Sequence, residues 1–350
     1  MKEPGKIDQS FFEHNILQYC GFNRNEVITG PGFGIDVSVV DLHHNMAMAL
    51  TSDPLSLIPS LGLEESAWLS VHLMANDMAT TGFQPMYGQF VLNLPEYFSN
   101  EDFSVYWNHI HCFCKSIGVA ITGGHTGFIQ NQHSTIAGGG TFITVAPKDQ
   151  ILTSNKARPG NILIATKQCG LTAVSILAKS FPNTVQQKLG KEVYDKACDL
   201  FHQTSSLKDA LTAKGNTENI GEVTAMHDVT EGGILGTAYE LAVASGNGLL
   251  LYNNAIPVGD VQQAIAQLFS LDPRYIVGAG SMLICATEGS EQNVLNRLKA
   301  ENIEATIIGK LVKKEEGLKI IEDDELKNIV YLEKDPYWNA FFDAYKRGWN

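Results

Sequence analysis

The chain lacks any excess of positive charge. Its 350 residues carry 25 Lys and Arg against 38 Asp and Glu, a formal net charge of −13. That balance argues against nucleic acid or an anionic membrane as a partner. It leaves a nucleotide open, because a metal ion neutralises phosphate locally. No run approaches the ~20 apolar residues that a membrane span needs, and the opening MKEPGKIDQSFF has no apolar core of signal-peptide length. The six cysteines show no regular framework, which fits unpaired thiols in a reducing compartment, and a cytoplasmic location is expected. A GxGxxG fingerprint is absent, and no helix follows the glycine turn at 30–34, so neither a Rossmann nor a P-loop assignment holds. The segment 99–117 carries His109, His111, Cys112 and Cys114 but no CxxC or HxxxH spacing. Burial, not metal binding, is expected of these four.

What is present describes an ordinary globular protein: 44% hydrophobic and 18% charged residues, at a length for which two domains are the prior. The first part reads as strand-rich, with strands expected at 35–42, 46–51, 86–94, 119–122 and 134–147. Helices are expected at 10–21, from about 64 to Gly82, and at 99–117. A Pro-Gly turn in ARPGNILIAT opens a second unit, so we read domains at 1–156 and 157–318 and a charged, then aromatic, tail at 319–350. The second unit alternates helices with strands at 157–166, 223–226, 249–252, 281–286 and 305–310, with a helical hairpin or one long helix over 184–211. The fold class is α/β (α+β).

The stretch 51–85 organises the first part. Ala67, Val71, Met74, Ala75, Met78 and Ala79 recur at three- and four-residue spacing, the mark of a buried helix face. Gly82 supplies a left-handed stop, and Pro85 blocks a restart. Asp53 is expected where a strand opens into a loop, and Asp77 in the last turns of the helix. A carboxylate there faces the negative end of the helix dipole, at a cost of a few tenths to about 1 kcal/mol. Either solvent exposure or a cation would compensate it. Asp36 beside the glycine turn and Asp228 in HDVTEGG are also flanked by loop-forming residues. Asp36 alone reads equally as a turn residue. If three of these acids converge, a cation is required, because two carboxylates about 4 Å apart repel by roughly 4 kcal/mol at an effective dielectric of 20. Such an oxygen-rich set selects Mg²⁺. Thr230 reads as a helix N-cap, and the bare first turn at Gly232 and Gly233 suits a phosphate.

At these residues the chain resembles the AIR synthase-related superfamily: aminoimidazole ribonucleotide synthetase, thiamine-monophosphate kinase, selenophosphate synthetase and the hydrogenase-maturation protein HypE. The stretches GFGIDVSVV, TSDPLSLIP with ANDMATTGFQP, GVAITGGHTG, and AMHDVTEGGILGTAYELA followed by IPVGD and LDPRYIVGAGSMLICA carry the resemblance. With ARPGNILIAT and ATIIGKL they cover about residues 28–312 in the family's order. The resemblance implies a two-domain fold whose N-terminal sheet forms a barrel with its partner's in a homodimer, a C-terminal α+β domain, and ATP in the cleft between domains. It implies Asp36, Asp53, Asp77 and Asp228 as Mg²⁺-ATP ligands, Gly123, Gly124 and Thr126 as a loop against the nucleotide, and His125 as phosphate donor or acid/base. His125 also reads as a packing residue of that loop, and it stands where several members have Asp or Glu. No glycine-flanked Cys or Lys is read before the first strand as a reactive group. The tail lacks the terminal cysteine through which HypE works. The implied activity is HypE-like: ATP-dependent phosphorylation or activation of an oxygen on a small-molecule or protein-thiol acceptor. The alternatives are a small-molecule kinase like thiamine-monophosphate kinase and a non-catalytic nucleotide-binding partner in maturation.

Overall fold

A computed structural model describes residues 4–350. The first part contains α1 (Gln9–Asn15), β1 (Val27–Thr29), β2 (Ser38–His43), β3 (Met46–Ser56), α2 (Leu63–Ala79), β4 (Tyr87–Pro95), α3 (Asn100–Ser116), β5 (Ala120–Ile129) and β6 (Ile136–Pro147). Its strands form one six-stranded sheet in the order β1-β2-β3-β6-β4-β5, antiparallel except for the β4–β5 pair. The helix face expected from spacing is the one buried: Ala67, Val71, Met74, Ala75, Met78 and Ala79 are fully enclosed with Phe90, Leu92 and Phe142 of the sheet. Gly82 takes the left-handed conformation, φ +74°, and ends the segment.

The second part begins with β7 (Ile162–Thr166), then α4 (Leu171–Ser180), α5 (Pro182–Leu189), α6 (Lys191–Asp199), α7 (Leu207–Lys214), β8 (Val223–Asp228) and α8 (Gly233–Ser245). It continues with β9 (Gly248–Tyr252), α9 (Asp260–Leu268), β10 (Met282–Ala286), α10 (Glu291–Ala300), β11 (Ala305–Val312), β12 (Leu318–Glu322), β13 (Glu325–Asn328) and α11 (Pro336–Lys346). Seven strands order as β13-β12-β9-β11-β7-β10-β8. The two parts are joined through α2. Asn76 donates to the Thr204 carbonyl and accepts from the Ser206 amide, and Trp68 Nε1 donates to Thr204 Oγ1.

Several expectations change. The GGHTGF loop is a strand: β5 runs on through Gly123, Gly124, His125 and Thr126, parallel to β4. A Cβ at Gly124, φ +146°, would lie 1.8 Å from the Phe90 carbonyl oxygen, so glycine here marks a close backbone approach within the sheet and not a turn. For the same kind of reason β3 does not stop at Thr51. It continues to Ser56, with Asp53 opposite Gly140 and Pro54 opposite Gly139. The thioether of Met74 fills the space a Cβ at Gly140 would need. Residues 184–211 form parts of three separate helices, because Gly190 and the irregular turn at 200–206 interrupt them. In the N-terminal segment α1 buries no residue, and Ile16 and Leu17 just after it are exposed.

The expected tail is also ordered differently. Residues 318–328 supply the last two strands of the second sheet, β12 pairing with β9. Beyond them α11 packs Phe341 against Phe181 and Tyr337, and Trp349, just after it, lies against Phe269. The chain's last amide and carbonyl bond to Thr184.

Candidate functional site

The four acids come to one place by four local routes. Gly34, in the left-handed region at φ +71°, sits so close to the Glu240 carbonyl that a Cβ would be 2.6 Å from its oxygen. This seats the glycine turn on α8 and brings Asp36 to β8. Asp53 projects from the extended end of β3, and Asp77 from the last turns of α2, where Thr51 Oγ1 donates to its Oδ2 at 2.8 Å. Asp228 ends β8. Together Asp36, Asp53, Asp77 and Asp228 line a cavity of about 400 Å³, within the size range of small-ligand sites.

Electrostatics follows from that crowding. Burial raises the Asp36 carboxyl to about 6, against the lowering effect of His227. Burial and then the charge of Asp228 raise Asp53 to about 7. Burial, Asp228, Asp53 and Asp36 hold Asp77 well above the usual carboxylate range. Both oxygens of Asp228 and Oδ2 of Asp36 are enclosed without a well-aligned hydrogen bond. Buried carboxylates without partners carry a desolvation cost, and an oxygen-seeking dication would relieve it. The donor set therefore fits Mg²⁺. Among the described residues the tightest ligand-like cluster is Asp36, His227 and Asp228, with one donor atom each, all within 4.8 Å of one another.

Two residues of this site went unread in the sequence. His227 is buried, its Nδ1 3.1 Å from Asp36 Oδ2 and its Nε2 3.7 Å from Glu240 Oε2. Burial lowers its pKa, but Asp36, Asp228 and Glu240 outweigh burial, and the ring is held well above its ordinary value. It was overlooked because alternation puts neighbours on opposite faces of a strand, whereas β8 is buried on both faces at this end. Lys6 is the other. Its Nζ donates to Thr230 Oγ1 and its amide to Glu231, so residues 5–6 are a glycine-flanked lysine reaching the acid cavity before the first strand. Thr230 thus accepts from Lys6 and is not the N-cap of α8, a position held by Gly232.

The remaining sequence candidates lie elsewhere. The Gly232 amide, expected to be free for a phosphate, donates to Asp335 Oδ2 at 2.8 Å. Burial raises Asp335 to about 7, while its backbone hydrogen bonds lower it. Gly233 is packed against the Arg274 carbonyl. Gly123, Gly124, His125 and Thr126 are exposed on the open edge strand β5 and do not line the acid cavity. On α3 only Cys114 of the four expected to be buried is so; His111 and Cys112 are exposed. No helix among the described residues is long and apolar enough to cross a membrane.

Family models described as AIR synthase related protein, N-terminal domain and C-terminal domain, match residues 34–145 and 158–321. The chain belongs to the AIR synthase-related family. Within this family it is 29% identical over 255 residues to carbamoyl dehydratase HypE of Azotobacter vinelandii, covering 71% of this chain and 70% of that protein. Its fold matches a chain of the HypE–HypF complex with a TM-score of 0.74 at 17% identity, covering 92% of this chain and 100% of that one. It also matches hydrogenase maturation protein HypE in complex with ATP, with a TM-score of 0.69 at 18% identity and coverage of 95% and 94%. The AIR synthase-related fold thus accounts for both sheets and for the place where they meet.

Proposed function

We propose that this protein is an ATP- and Mg²⁺-dependent enzyme of the AIR synthase-related family, HypE-like, that phosphorylates or otherwise activates an oxygen of its acceptor. The observation that carries this reading is the convergence of Asp36, Asp53, Asp77 and Asp228 on one cavity with unpartnered buried carboxylate oxygens. Mg²⁺, held by these carboxylates, would supply charge neutralisation for the phosphates. The chain's own residues would do the positioning. His227 fixes Asp36 and offsets part of the acid charge, and Lys6 adds an ammonium at the cavity wall. Residues 336–350 are held against other helices and do not line the cavity.

The reading includes a homodimer. The open strand β5 and its neighbours expose Val91, Phe128, Ile129 and Ile136, an edge that a second copy would cover by pairing sheets. Gly123, Gly124, His125 and Thr126 would then act at or across that interface. A domain division near residue 156 and a reducing cytoplasmic setting for the six free cysteines belong to the same reading.

Single-turnover mixing of excess protein with labelled ATP tests it. We expect Mg²⁺-dependent ADP formation, slowed roughly 100-fold or more in Asp228→Asn, as befits loss of several kcal/mol of charge stabilisation. ATP retained without ADP formation would favour the non-catalytic nucleotide-binding role.

A further inference from the structure

A second cavity, of about 340 Å³, lies at the other end of β8 from the acid site. Thr224 lines it and Asp228 lines the first. Four residue steps of strand separate them, roughly 13 Å at ~3.3 Å per residue. The second cavity is cationic, in a chain of net charge −13. Lys156 and Arg158 reach it from the segment joining the two sheets, and Lys214 from the C-terminal end of α7.

None of these three cations forms an ion pair among the described residues. Lys156 Nζ donates only to the Ile151 carbonyl. Arg158 uses Nη1 on the carbonyls of Asn155 and Ala157, which leaves the rest of its guanidinium without a partner. Lys214 lies over the ring of Phe83, and burial lowers its pKa to about 8. Nearby acids balance them only in part: the charge of Asp149 acts on Lys156. Glu222 is taken by Arg297 and Asn293, and Asp149, the one acid in the lining, accepts from Asn45. Side-chain amides of Asn216 and Asn219 and the hydroxyl of Thr224 complete the polar wall.

Three cations against one carboxylate leave about two positive charges for a ligand to balance. A guanidinium fork beside ammonium groups is suited to oxyanions bearing several oxygens. We infer that this cavity is a second ligand site, separate from the acid site, that binds a small phosphate-bearing anion of at least two negative charges. The ligand would bridge the segment that joins the sheets, α7 and the start of β8.

Pyrophosphate is the probe. Binding is read by calorimetry and thermal unfolding in metal-free buffer, where the acid site repels an anion, at ionic strength matched with chloride. We expect a saturable response to pyrophosphate. Lys214→Met keeps an apolar stem beside Gly82 and removes only the partly buried ammonium that lies over Phe83, so it should fold. It should weaken pyrophosphate binding about tenfold or more, and Arg158→Gln similarly. Asp77→Asn should bind pyrophosphate like the wild type, and Lys214→Met should keep its response to Mg²⁺-ATP. The inference is overturned if pyrophosphate does no more than matched chloride, if Lys214→Met binds it unchanged, or if Asp77→Asn loses it. Tighter binding of citrate than of pyrophosphate would overturn the phosphate assignment and make the site one for polycarboxylates.

Discussion

Asp77→Asn is expected to make the ligand-free protein more stable while abolishing its response to Mg²⁺-ATP. The wild-type carboxylate is buried and crowded by Asp228, Asp53 and Asp36, and it stands at the unfavourable end of the α2 dipole. Asparagine keeps the acceptor for Thr51 Oγ1 and removes the charge. A gain of roughly 1–2 kcal/mol is the usual return for relieving strain of this kind at a functional site, visible as a rise of a few degrees in melting temperature. The same change deletes an anionic oxygen from the set that would hold the metal. Wild-type protein at 100 times Kd should gain about 2.7 kcal/mol from ligand, and the variant should gain nothing measurable. Scanning calorimetry of both proteins, with and without Mg²⁺-ATP, checks the two halves separately. A variant that is destabilised and still responds would mean that Asp77 is a structural residue.

The second large effect is on pH dependence. Asp36 titrates at about 6 and Asp53 at about 7 in the folded protein, whereas in the unfolded chain both titrate near 3.8. Between these limits the native state binds more protons than the unfolded state, so stability falls as pH rises. The penalty accumulates from about pH 4 and is complete just above pH 7. His227, also raised, acts with the same sign at and above neutrality. Each group contributes a slope of about 1.4 kcal/mol per pH unit while it is protonated only in the native state. Denaturant unfolding of the metal-free protein at pH 5, 6, 7 and 8 should therefore show declining stability. The decline between pH 5 and 7 should shrink by up to about one proton in Asp53→Asn. Mg²⁺ competes with protons for the same oxygens and should flatten the wild-type curve near pH 7. An unchanged slope in Asp53→Asn would remove Asp53 from the account.

These expectations rest on positions that were partly legible in the sequence. The α2 face was readable because a buried helix repeats at three and four residues, and the packing against β3 and β6 obeys that spacing. Asp36, Asp53, Asp77 and Asp228 were visible as charges beside loop-forming residues, where a carboxylate has no structural reason to be buried. Their meeting in one cavity was not visible, since it depends on Gly34 seating one turn on α8 and on the Asn76 contacts that dock one unit on the other. Glycine was the misleading signal. In GGHTGF it permits close strand approach, and reading it as a loop shortened β5. The Gly232–Gly233 turn suggested a free helix N-terminus, but its first amide is met by Asp335, about 100 residues away in sequence. Local sequence carries no record of such a partner. Lys6 and His227 were missed for related reasons, one lying in a segment with little periodicity and the other beside a more conspicuous acid.

The measurement that tests the central claim most directly is thermal unfolding of the wild-type protein with ATP, with Mg²⁺, and with both. If the four carboxylates hold a metal–nucleotide complex, the melting temperature rises by several degrees only when both are present. The rise should vanish in Asp228→Asn. No shift at millimolar Mg²⁺-ATP, or an equal shift in that variant, would contradict the account and leave the acid cavity as a feature of the fold without a nucleotide.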